Sequence, residues 1–308
     1  MTIAARKIYV PLFIVVLLLQ LYLPSFKANI FIQLFVLIVF VVIDKAIVSK
    51  HYIKHFLPFL VLLLLGFAGT ILHRYKLFNI VKDIFHFLKP VVGILIGYLF
   101  FRRINDFKVF AKTIVTASIL SAIIHFIIIA FLVRFRMGSI NEIREFTKDN
   151  FLELFGLFFL IYYKRFYGAR LLKSRLFHYT ALVLILISAG LYFSRTMMVA
   201  ALILIISAAG YTKLTAKSFK AIGVIILMIG TLYTYLYSTN IRRDKPGLEA
   251  FLYKVKIAPA EVFKTNIDRE NHADLWDHWR GYEANRAFEL MDRSPSSYIF
   301  GTGHGSLV

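Results

Sequence analysis

Two arginines are the most informative candidates for residues with a chemical function. Arg195 lies in the very short connection Ser194-Arg195-Thr196 between two apolar runs, near the depth of the lipid headgroups, where a charge is costly unless it is paired or solvated. Arg280 lies in a polar segment near the carboxyl end. A guanidinium never deprotonates and donates two parallel hydrogen bonds, which suits phosphate oxygens. We therefore expect Arg195 and Arg280 to converge on a lipid diphosphate at the membrane surface.

Each arginine also has a purely structural interpretation. An arginine beside an apolar helix can extend its charged end to the membrane interface without binding a ligand. Glu283 lies three residues after Arg280, so on a helix the two side chains would form an ordinary surface ion pair. The sequence leaves both interpretations open.

The segment Gly301-Thr302-Gly303-His304-Gly305 predicts a tight turn rather than a nucleotide-binding loop. A dinucleotide-binding loop requires a strand before it and a helix after it in a βαβ unit, and neither is indicated here. His304 is a candidate general base, although a histidine in an exposed loop more commonly has no catalytic role. The next candidates for a base are His272 and His278.

Several polar residues lie inside apolar runs. Ser118, Ser121 and His125 are spaced by three and then four residues, so they share one face of a helix. Such a stripe typically joins helices through hydrogen bonds, but a histidine within a membrane is also a candidate functional residue. Weaker candidates are Asn29 with Gln33, and Glu153 near the outer end of its span. Asp44, beside Lys45, is predicted to lie at the membrane interface.

The sequence gives little support for a metal site. His51 and His55 have the spacing that places two imidazoles on one helix face, but only Asp44 could supply a nearby third ligand. Cysteine is absent, which excludes disulfides, thiolate catalysis and cysteine-bound metals. No Asp-x-Asp pattern occurs, so a metal-dependent sugar-nucleotide transferase is not expected. We predict no metal and no other cofactor.

The apolar runs that position these residues are typical of an all-α polytopic membrane protein. Of the 308 residues, 59% are hydrophobic and 18% are charged, and the mean hydropathy is +0.71. No signal-cleavage site follows the first run, so we expect that run to be retained as a helix. The runs predict nine spans, at residues 8–24, 30–48, 56–72, 84–101, 113–133, 151–163, 178–193, 197–212 and 221–239.

The distribution of charge predicts the orientation of these spans. Residues 1–240 hold the whole net charge of +20, nearly all of it in short connections between apolar runs. This distribution argues against nucleic-acid binding and for contact with the lipid bilayer. Alternate connections, beginning with the amino terminus, carry 17 Lys and Arg, whereas the other connections carry 10. The amino terminus is therefore predicted to be cytoplasmic. One connection of the second set also contains three acids: Glu142, Glu145 and Asp149.

The sequence changes character at Asn240. We predict a membrane-embedded bundle over residues 1–240 and a partly helical periplasmic loop over residues 241–308, which holds ten basic and ten acidic residues. Within this loop, residues 275–292 predict an amphipathic helix with Asp274 as its N-cap. Because the sequence stops soon after the glycine-rich turn, we expect the chain to be a fragment of a longer reading frame.

Together these features resemble the O-antigen ligase/polymerase family of bacterial membrane glycosyltransferases. The likeness rests on motifs within residues 194–306. Ser194-Arg195 lies between two short late spans, as in the family. The other two motifs are Arg280-Gly281-Tyr282-Glu283-Ala284-Asn285-Arg286-Ala287, similar to the family's Arg-x-x-x-Trp-x-x-Ala-Leu helix, and Ile299-Phe300-Gly301-Thr302-Gly303-His304-Gly305-Ser306, similar to its Phe-Gly-x-Gly-x-Gly turn.

The resemblance has two departures. The family's aromatic residue after the arginine corresponds here to Tyr282 or is displaced. The histidine regarded as catalytic in the family follows the glycine turn in a His-Asn segment, which would lie beyond Val308. The resemblance therefore does not transfer that role to His304.

The resemblance implies glycosyl transfer at the outer face of the bacterial inner membrane, in the synthesis of lipopolysaccharide or another surface polysaccharide. The donor would be a glycan on undecaprenyl diphosphate. A hydroxyl of a glycan or lipid acceptor attacks the anomeric carbon, and the lipid diphosphate leaves with its charge stabilised by arginines instead of a metal. Ligase and polymerase activities are both compatible with these motifs.

A second hypothesis belongs to another class of protein. That hypothesis is a non-enzymatic transporter or flippase for polysaccharide or lipid-linked sugar. Such proteins are expected to show internal repeats, or paired acids and broken helices near the middle of the membrane. In this sequence only Glu153 and His125 approach that pattern.

Overall fold

The computed structural model describes residues 3–23, 25–42, 45, 49–131, 150–242, 248–261 and 263–306. These residues form helices and turns, and none of them lies in a strand. The helices, in chain order, are α1 (Ile3–Tyr22), α2 (Phe26–Val42), α3 (Lys50–Leu72), α4 (Leu77–Ile104), α5 (Phe107–Phe131), α6 (Phe151–Tyr167), α7 (Arg175–Leu191), α8 (Arg195–Ala209), α9 (Ala216–Ser238), α10 (Leu248–Glu261), α11 (His272–Asp277), α12 (Trp279–Asp292) and α13 (Ser297–Phe300).

Long apolar helices dominate the chain. Residues Ile53–Leu72 of α3, together with α4, α5 and α9, are long and apolar enough to cross a bilayer. The helices α2, α7 and α8 are apolar but shorter. Large apolar side chains remain exposed on these helices, such as Ile226, Leu227 and Met228 on α9, as expected where a surface faces lipid. The prediction of a helical membrane protein is confirmed, whereas the number of nine spans stays a prediction.

Local sequence signals explain where the later helices begin. The hydroxyl groups of Ser174, Ser194 and Thr215 accept hydrogen bonds from the backbone N–H three residues further on, at the starts of α7, α8 and α9. These are N-caps, which satisfy a donor that the first helical turn leaves unpaired. Each of the nine predicted spans overlaps one of the helices α1 to α9.

The chain divides into two compact units. The first unit contains residues Met1–Tyr22 and Ile104–Ile257, and the second contains Leu23–Arg103 and Ala258–Val308. The division falls within α10. The predicted boundary at residue 240 concerns the position of the chain relative to the bilayer, so it stays a prediction.

The first unit has its core where α5 packs against α6 and α7. Small residues allow the close approach: a Cβ atom added at Gly156 of α6 would lie 2.3 Å from the Ser118 hydroxyl oxygen of α5. That hydroxyl donates to the carbonyl oxygens of Ile114 and Leu152, at 2.8 Å each. The buried apolar core consists of Ala111, Val115, Ala122, Leu157, Leu160, Tyr163, Leu171, Ala181 and Ile185.

The predicted amphipathic helix over residues 275–292 is wrong in two respects. The helix is divided at His278, where the backbone leaves helical geometry, into α11 and α12. The N-cap is Asn271 rather than Asp274, because the Asn271 side chain accepts from the N–H groups of Ala273 and Asp274. The Asp274 carboxylate instead accepts from Lys264 and from the Asp268 N–H.

Some sequence predictions lie outside the described residues. These predictions concern the acids Glu142, Glu145 and Asp149, the interfacial Asp44, and the segment expected beyond Val308. The side chain of His51 is likewise not described, so the predicted pairing of His51 with His55 is untested. Within the part of the chain that the structure describes, no group of three His, Asp or Glu side chains is arranged to hold a metal ion.

Candidate functional sites

Arg195 is held at one end of the first unit. It is the first residue of α8, directly after the N-cap Ser194, whose hydroxyl accepts from the Met197 N–H at 3.2 Å. The Arg195 Nη1 atom donates to the Lys254 carbonyl oxygen of α10 at 2.9 Å. The guanidinium is therefore fixed next to the positive end of the α8 dipole, which is a favourable place for an anion.

The helix α10 brings further basic and aromatic groups to this end of the unit. The Lys256 ammonium donates to the Thr239 carbonyl oxygen at 3.2 Å and lies 5.5 Å from the Tyr237 ring centroid. The Tyr233 hydroxyl donates to the Val255 carbonyl oxygen at 3.1 Å. Arg195, Lys254 and Lys256 thus lie on neighbouring elements, α8 and α10, and this end of the unit is cationic.

A buried carboxyl group lies at the same end of the unit. Glu153, in the first turn of α6, is fully buried. Its Oε1 atom accepts hydrogen bonds from the Ser121 hydroxyl at 2.8 Å, the Asn150 side-chain amide at 2.9 Å and the Tyr192 hydroxyl at 3.2 Å. The Tyr22 hydroxyl contacts the Ser121 hydroxyl at 2.9 Å. Five side chains, from three helices, the α6 N-cap and the α7 C-cap, therefore form one buried polar network.

Asn150 fixes the orientation of this network. Its Oδ1 atom accepts from the Glu153 N–H at 3.2 Å as the N-cap of α6, so its NH2 group has to face the carboxyl group. The Asn150 N–H lies 3.2 Å from the sulfur atom of Met197, in the first turn of α8. The network and Arg195 are therefore neighbours at one end of the first unit.

His125 joins the network through α7. Its Nδ1 atom lies 2.8 Å from the Ser188 hydroxyl, and its ring stacks on Tyr192 with centroids 4.0 Å apart. The Ser188 hydroxyl also lies close to the Glu153 carboxyl group. Among the residues that the structure describes, no hydrogen-bond partner reaches the buried Nε2 atom of His125 or the buried Oε2 atom of Glu153, which is unusual for ionisable groups.

The sequence predicted only part of this network. The stripe of Ser118, Ser121 and His125 does join helices, as its spacing indicated. The participation of Tyr22, Ser188 and Tyr192 was missed, because each lies on another helix and spacing along one helix cannot reveal partners on its neighbours. Asn150 and Glu153 did carry a signal, because Asn followed three positions later by Glu is typical of a helix N-terminus. The Glu153 carboxyl group, however, accepts from the Asn150 side chain, while the Asn150 N–H lies against Met197.

Arg280 lies in the second unit, in the first turn of α12. Its Nη1 atom donates to Glu283 at 2.8 Å, and 68% of its side chain is exposed. This is the surface ion pair that the spacing allowed. The Arg280 N–H donates to the Glu261 carboxylate at 3.3 Å, so that carboxylate occupies the N-terminal end of α12. Arg195 and Arg280 belong to different units, and their convergence stays a prediction.

His304 is held against α3 in the second unit. Its N–H donates to the Thr70 hydroxyl at 2.7 Å, and its Nε2 atom contacts the Leu63 carbonyl oxygen at 3.2 Å. A carbonyl oxygen only accepts, so Nε2 carries the proton and Nδ1 is the acceptor nitrogen. The ring fits against Gly66, where an added Cβ atom would lie 2.3 Å from Nε2.

The glycine-rich turn around His304 is confirmed as a tight turn. Gly301, Gly303 and Gly305 have φ values of 71°, 85° and 98°. A side chain at Gly303 would also lie 2.3 Å from the Thr70 backbone nitrogen. The Gly305 N–H donates to the Asp83 carboxylate at 2.7 Å. The glycines are required both by the backbone angles and by the close approach of the turn to α3.

Comparisons with protein-family models, with curated proteins and with solved structures find no match to this chain.

Proposed function

We propose that the chain is a glycosyltransferase similar to the O-antigen ligases and polymerases, with nine spans in the bacterial inner membrane. The amino terminus is cytoplasmic and residues 241–308 are periplasmic in this proposal. The enzyme would transfer a glycan from undecaprenyl diphosphate to an acceptor hydroxyl, without a metal. The observation that carries the proposal is Arg195, fixed by the Lys254 carbonyl at the N-terminus of α8.

The predicted chemistry needs an anion site for the leaving group. As the acceptor oxygen bonds to the anomeric carbon, the bond from that carbon to the diphosphate oxygen breaks, and negative charge develops on the lipid diphosphate. A fixed guanidinium next to a helix N-terminus stabilises that charge without having to reorganise. Arg280 would provide the second guanidinium in this proposal.

The acceptor hydroxyl must also lose its proton to a base. His304 is the candidate in this sequence, and its Nδ1 atom is the acceptor nitrogen in the tautomer that the Leu63 carbonyl selects. The packing of this ring on Gly66 equally suits a residue that anchors the turn. A His304→Gln variant separates these roles, because an amide can replace the hydrogen bond to Leu63 but not the base.

We assign a short part of the donor's lipid chain to an apolar groove in the second unit. It encloses about 220 Å³ between α3 and α4. Two of the residues that line it, Leu63 and Phe87, also contact His304. The remaining lining residues are Ile53, Phe56, Leu57, Phe59, Leu60, Leu88 and Val91. A prenyl chain in this groove would be solvated by apolar side chains alone.

Binding of undecaprenyl diphosphate to the chain in lipid nanodiscs tests the proposal. Arg195→Lys and Arg280→Lys should each weaken binding about tenfold, because lysine keeps the charge but loses the two parallel hydrogen bonds. Arg175→Lys is the matched control for Arg195, since Ser174-Arg175 begins α7 as Ser194-Arg195 begins α8. Arg286→Lys is the control for Arg280, because it forms the same type of ion pair on α12. Equal affinities of all four variants for undecaprenyl diphosphate would contradict the proposed diphosphate site.

The transporter hypothesis also has a specific observation in its favour. Glu153 and His125 lie in one buried network, and each has an unpartnered atom. Buried ionisable groups of this kind occur along proton pathways in transporters. If the chain is a transporter, Glu153→Gln should abolish sugar export, whereas Arg280→Lys should leave export unchanged. The glycosyltransferase proposal expects the opposite ranking.

A further inference from the structure

Both tryptophans of the chain are exposed in the polar tail of the second unit, which we define as residues 258–308. The sequence contains two, Trp276 and Trp279, and they are 73% and 44% exposed. An indole ring is usually well buried in a folded protein, because its burial contributes more than that of nearly any other side chain. Two exposed indoles within four residues therefore indicate a surface that binds something.

Trp279 belongs to an aromatic platform, which we define as Trp279, Tyr282 and Arg269. The rings of Trp279 and Tyr282 have centroids 5.7 Å apart at an angle of 35°. The Arg269 guanidinium lies 5.6 Å from the Tyr282 ring centroid. Trp276 lies in α11, one residue before that helix ends. Planar rings and a hydrogen-bond donor are thus presented together on the surface.

The backbone beneath the platform is fixed. A Cβ atom added at Gly281 would lie 2.4 Å from the Glu261 carbonyl oxygen. Only glycine therefore allows α12 to approach the backbone at Glu261 this closely. The Asn285 side-chain amide donates to the carbonyl oxygens of Lys264 and Thr265, at 3.1 and 3.2 Å. A surface held in this way loses little entropy when it binds a ligand.

We propose that the aromatic platform binds a sugar ring of the glycan, an inference that rests on the proposed function. The C–H groups on one face of a pyranose are slightly positive and stack on the electron-rich face of an indole or phenol ring. The sugar hydroxyls pair with the charged side chains that flank the rings. In the proposed function Arg280 binds the diphosphate, so the sugar bonded to that diphosphate lies beside Arg280, where Trp279 is.

The charges around the platform favour a sugar over the membrane surface as its ligand. Segments that bind anionic lipid surfaces carry a polar face rich in Lys and Arg. Residues 258–308, the part of the chain's polar end that belongs to the second unit, instead hold five basic and eight acidic residues. On α12, acids alternate with the arginines: Arg280 pairs with Glu283, and Arg286 pairs with Glu289. Such a surface has no net electrostatic attraction to anionic headgroups. A neutral sugar, by contrast, needs both hydrogen-bond donors and hydrogen-bond acceptors, and this surface offers both.

Intrinsic tryptophan fluorescence tests this proposal directly, because Trp279 lies in the platform and the second tryptophan of the chain, Trp276, lies three residues before it. The chain in lipid nanodiscs is titrated with free oligosaccharides of glucose, mannose and N-acetylglucosamine, which carry neither lipid nor phosphate. At least one of these should produce a saturable change in emission. Trp279→Ala, read from Trp276, should weaken that binding roughly three- to tenfold. The control Ile299→Ala removes an exposed apolar side chain elsewhere in the tail and should change nothing.

Two results would overturn the platform as a sugar site. One is that none of the three oligosaccharide types changes the tryptophan emission, or that the wild type and Trp279→Ala bind oligosaccharide with equal affinity. The other is strong quenching of the tryptophans in nanodiscs that contain brominated lipids, which would place the rings in the membrane interface. Arg195→Lys should lower diphosphate binding and leave oligosaccharide binding intact, so a failure of the platform is distinguishable from a failure of the proposed function.

Discussion

The buried polar network of the first unit and the polar tail of the second unit place similar groups in opposite surroundings. Glu153 lies in the first unit with no exposed surface, and three donors converge on one of its oxygen atoms. In the tail, Glu289 is paired with Arg286 on an exposed helix face. A buried carboxyl group depends on all its partners, whereas an exposed one is solvated by water whether or not its partner is present.

This difference predicts which residues stabilise the fold and which are available to ligands. The network joins α1, α5, α6 and α7, so its hydrogen bonds specify how the helices of the first unit pack. In the tail, by contrast, the side chains of Arg280, Trp276 and Trp279 are largely exposed. We therefore expect substitutions in the network to act on stability, and substitutions in the tail to act on binding.

The largest effect is expected from Glu153→Ala. This change leaves the buried donors of Ser121, Asn150 and Tyr192 without their shared acceptor, at a cost of about 3 kcal/mol in the free energy of unfolding. Glu153→Gln retains an acceptor oxygen and should cost clearly less. The exposed control Glu289→Ala should change stability by less than about 0.5 kcal/mol. Unfolding in detergent, followed by circular dichroism, measures the change in the free energy of unfolding for the three variants. Equal changes would contradict the proposed difference between the two regions.

A smaller effect is expected in the glycine-rich turn. Gly303→Ala combines a left-handed backbone with a Cβ atom that would lie 2.3 Å from the Thr70 nitrogen, so it should cost about 2 kcal/mol or more. The control Gly210→Ala, at the end of α8, has a left-handed backbone with φ 81° and ψ 16° but meets no atom within 4 Å, and should cost only about 1 kcal/mol. Protease cleavage within residues 297–306 should increase more for Gly303→Ala. The reverse order would mean that this turn does not pack on α3.

The smallest effect concerns the pH dependence of the tail. The hydrogen bond from Lys264 lowers the pKa of Asp274, and the Asp268 N–H contributes further. A carboxyl group with a lowered folded pKa stabilises the folded state above its ordinary pKa, and that contribution is lost as the pH falls through the lowered value. Tryptophan emission should therefore report a loosening of the tail in acid. Asp274→Asn should remove this transition, and its persistence would assign it to another group.

The sequence predicted the helices better than the sites, for physical reasons. Apolar runs long enough for a bilayer are a local property, and each predicted span overlaps a helix. The turn at Gly301, Gly303 and Gly305 is equally local. The Glu153 network depends on which helices are neighbours, and nothing in the spacing of Tyr22 or Tyr192 along their own helices contains that information. The division at His278 was missed because the apolar pattern continues across it, while the cap at Asn271 is set by side-chain geometry.

The central claim, that Arg195 and Arg280 support glycosyl transfer, is tested most directly in cells. The reading frame that contains this chain is expressed in a strain that lacks its own copy, and surface glycan is measured together with the abundance of the protein in the membrane. The wild type and Arg286→Lys should restore surface glycan, whereas Arg195→Lys and Arg280→Lys should lose most of it at unchanged abundance. Full surface glycan in both of the latter variants would contradict the account.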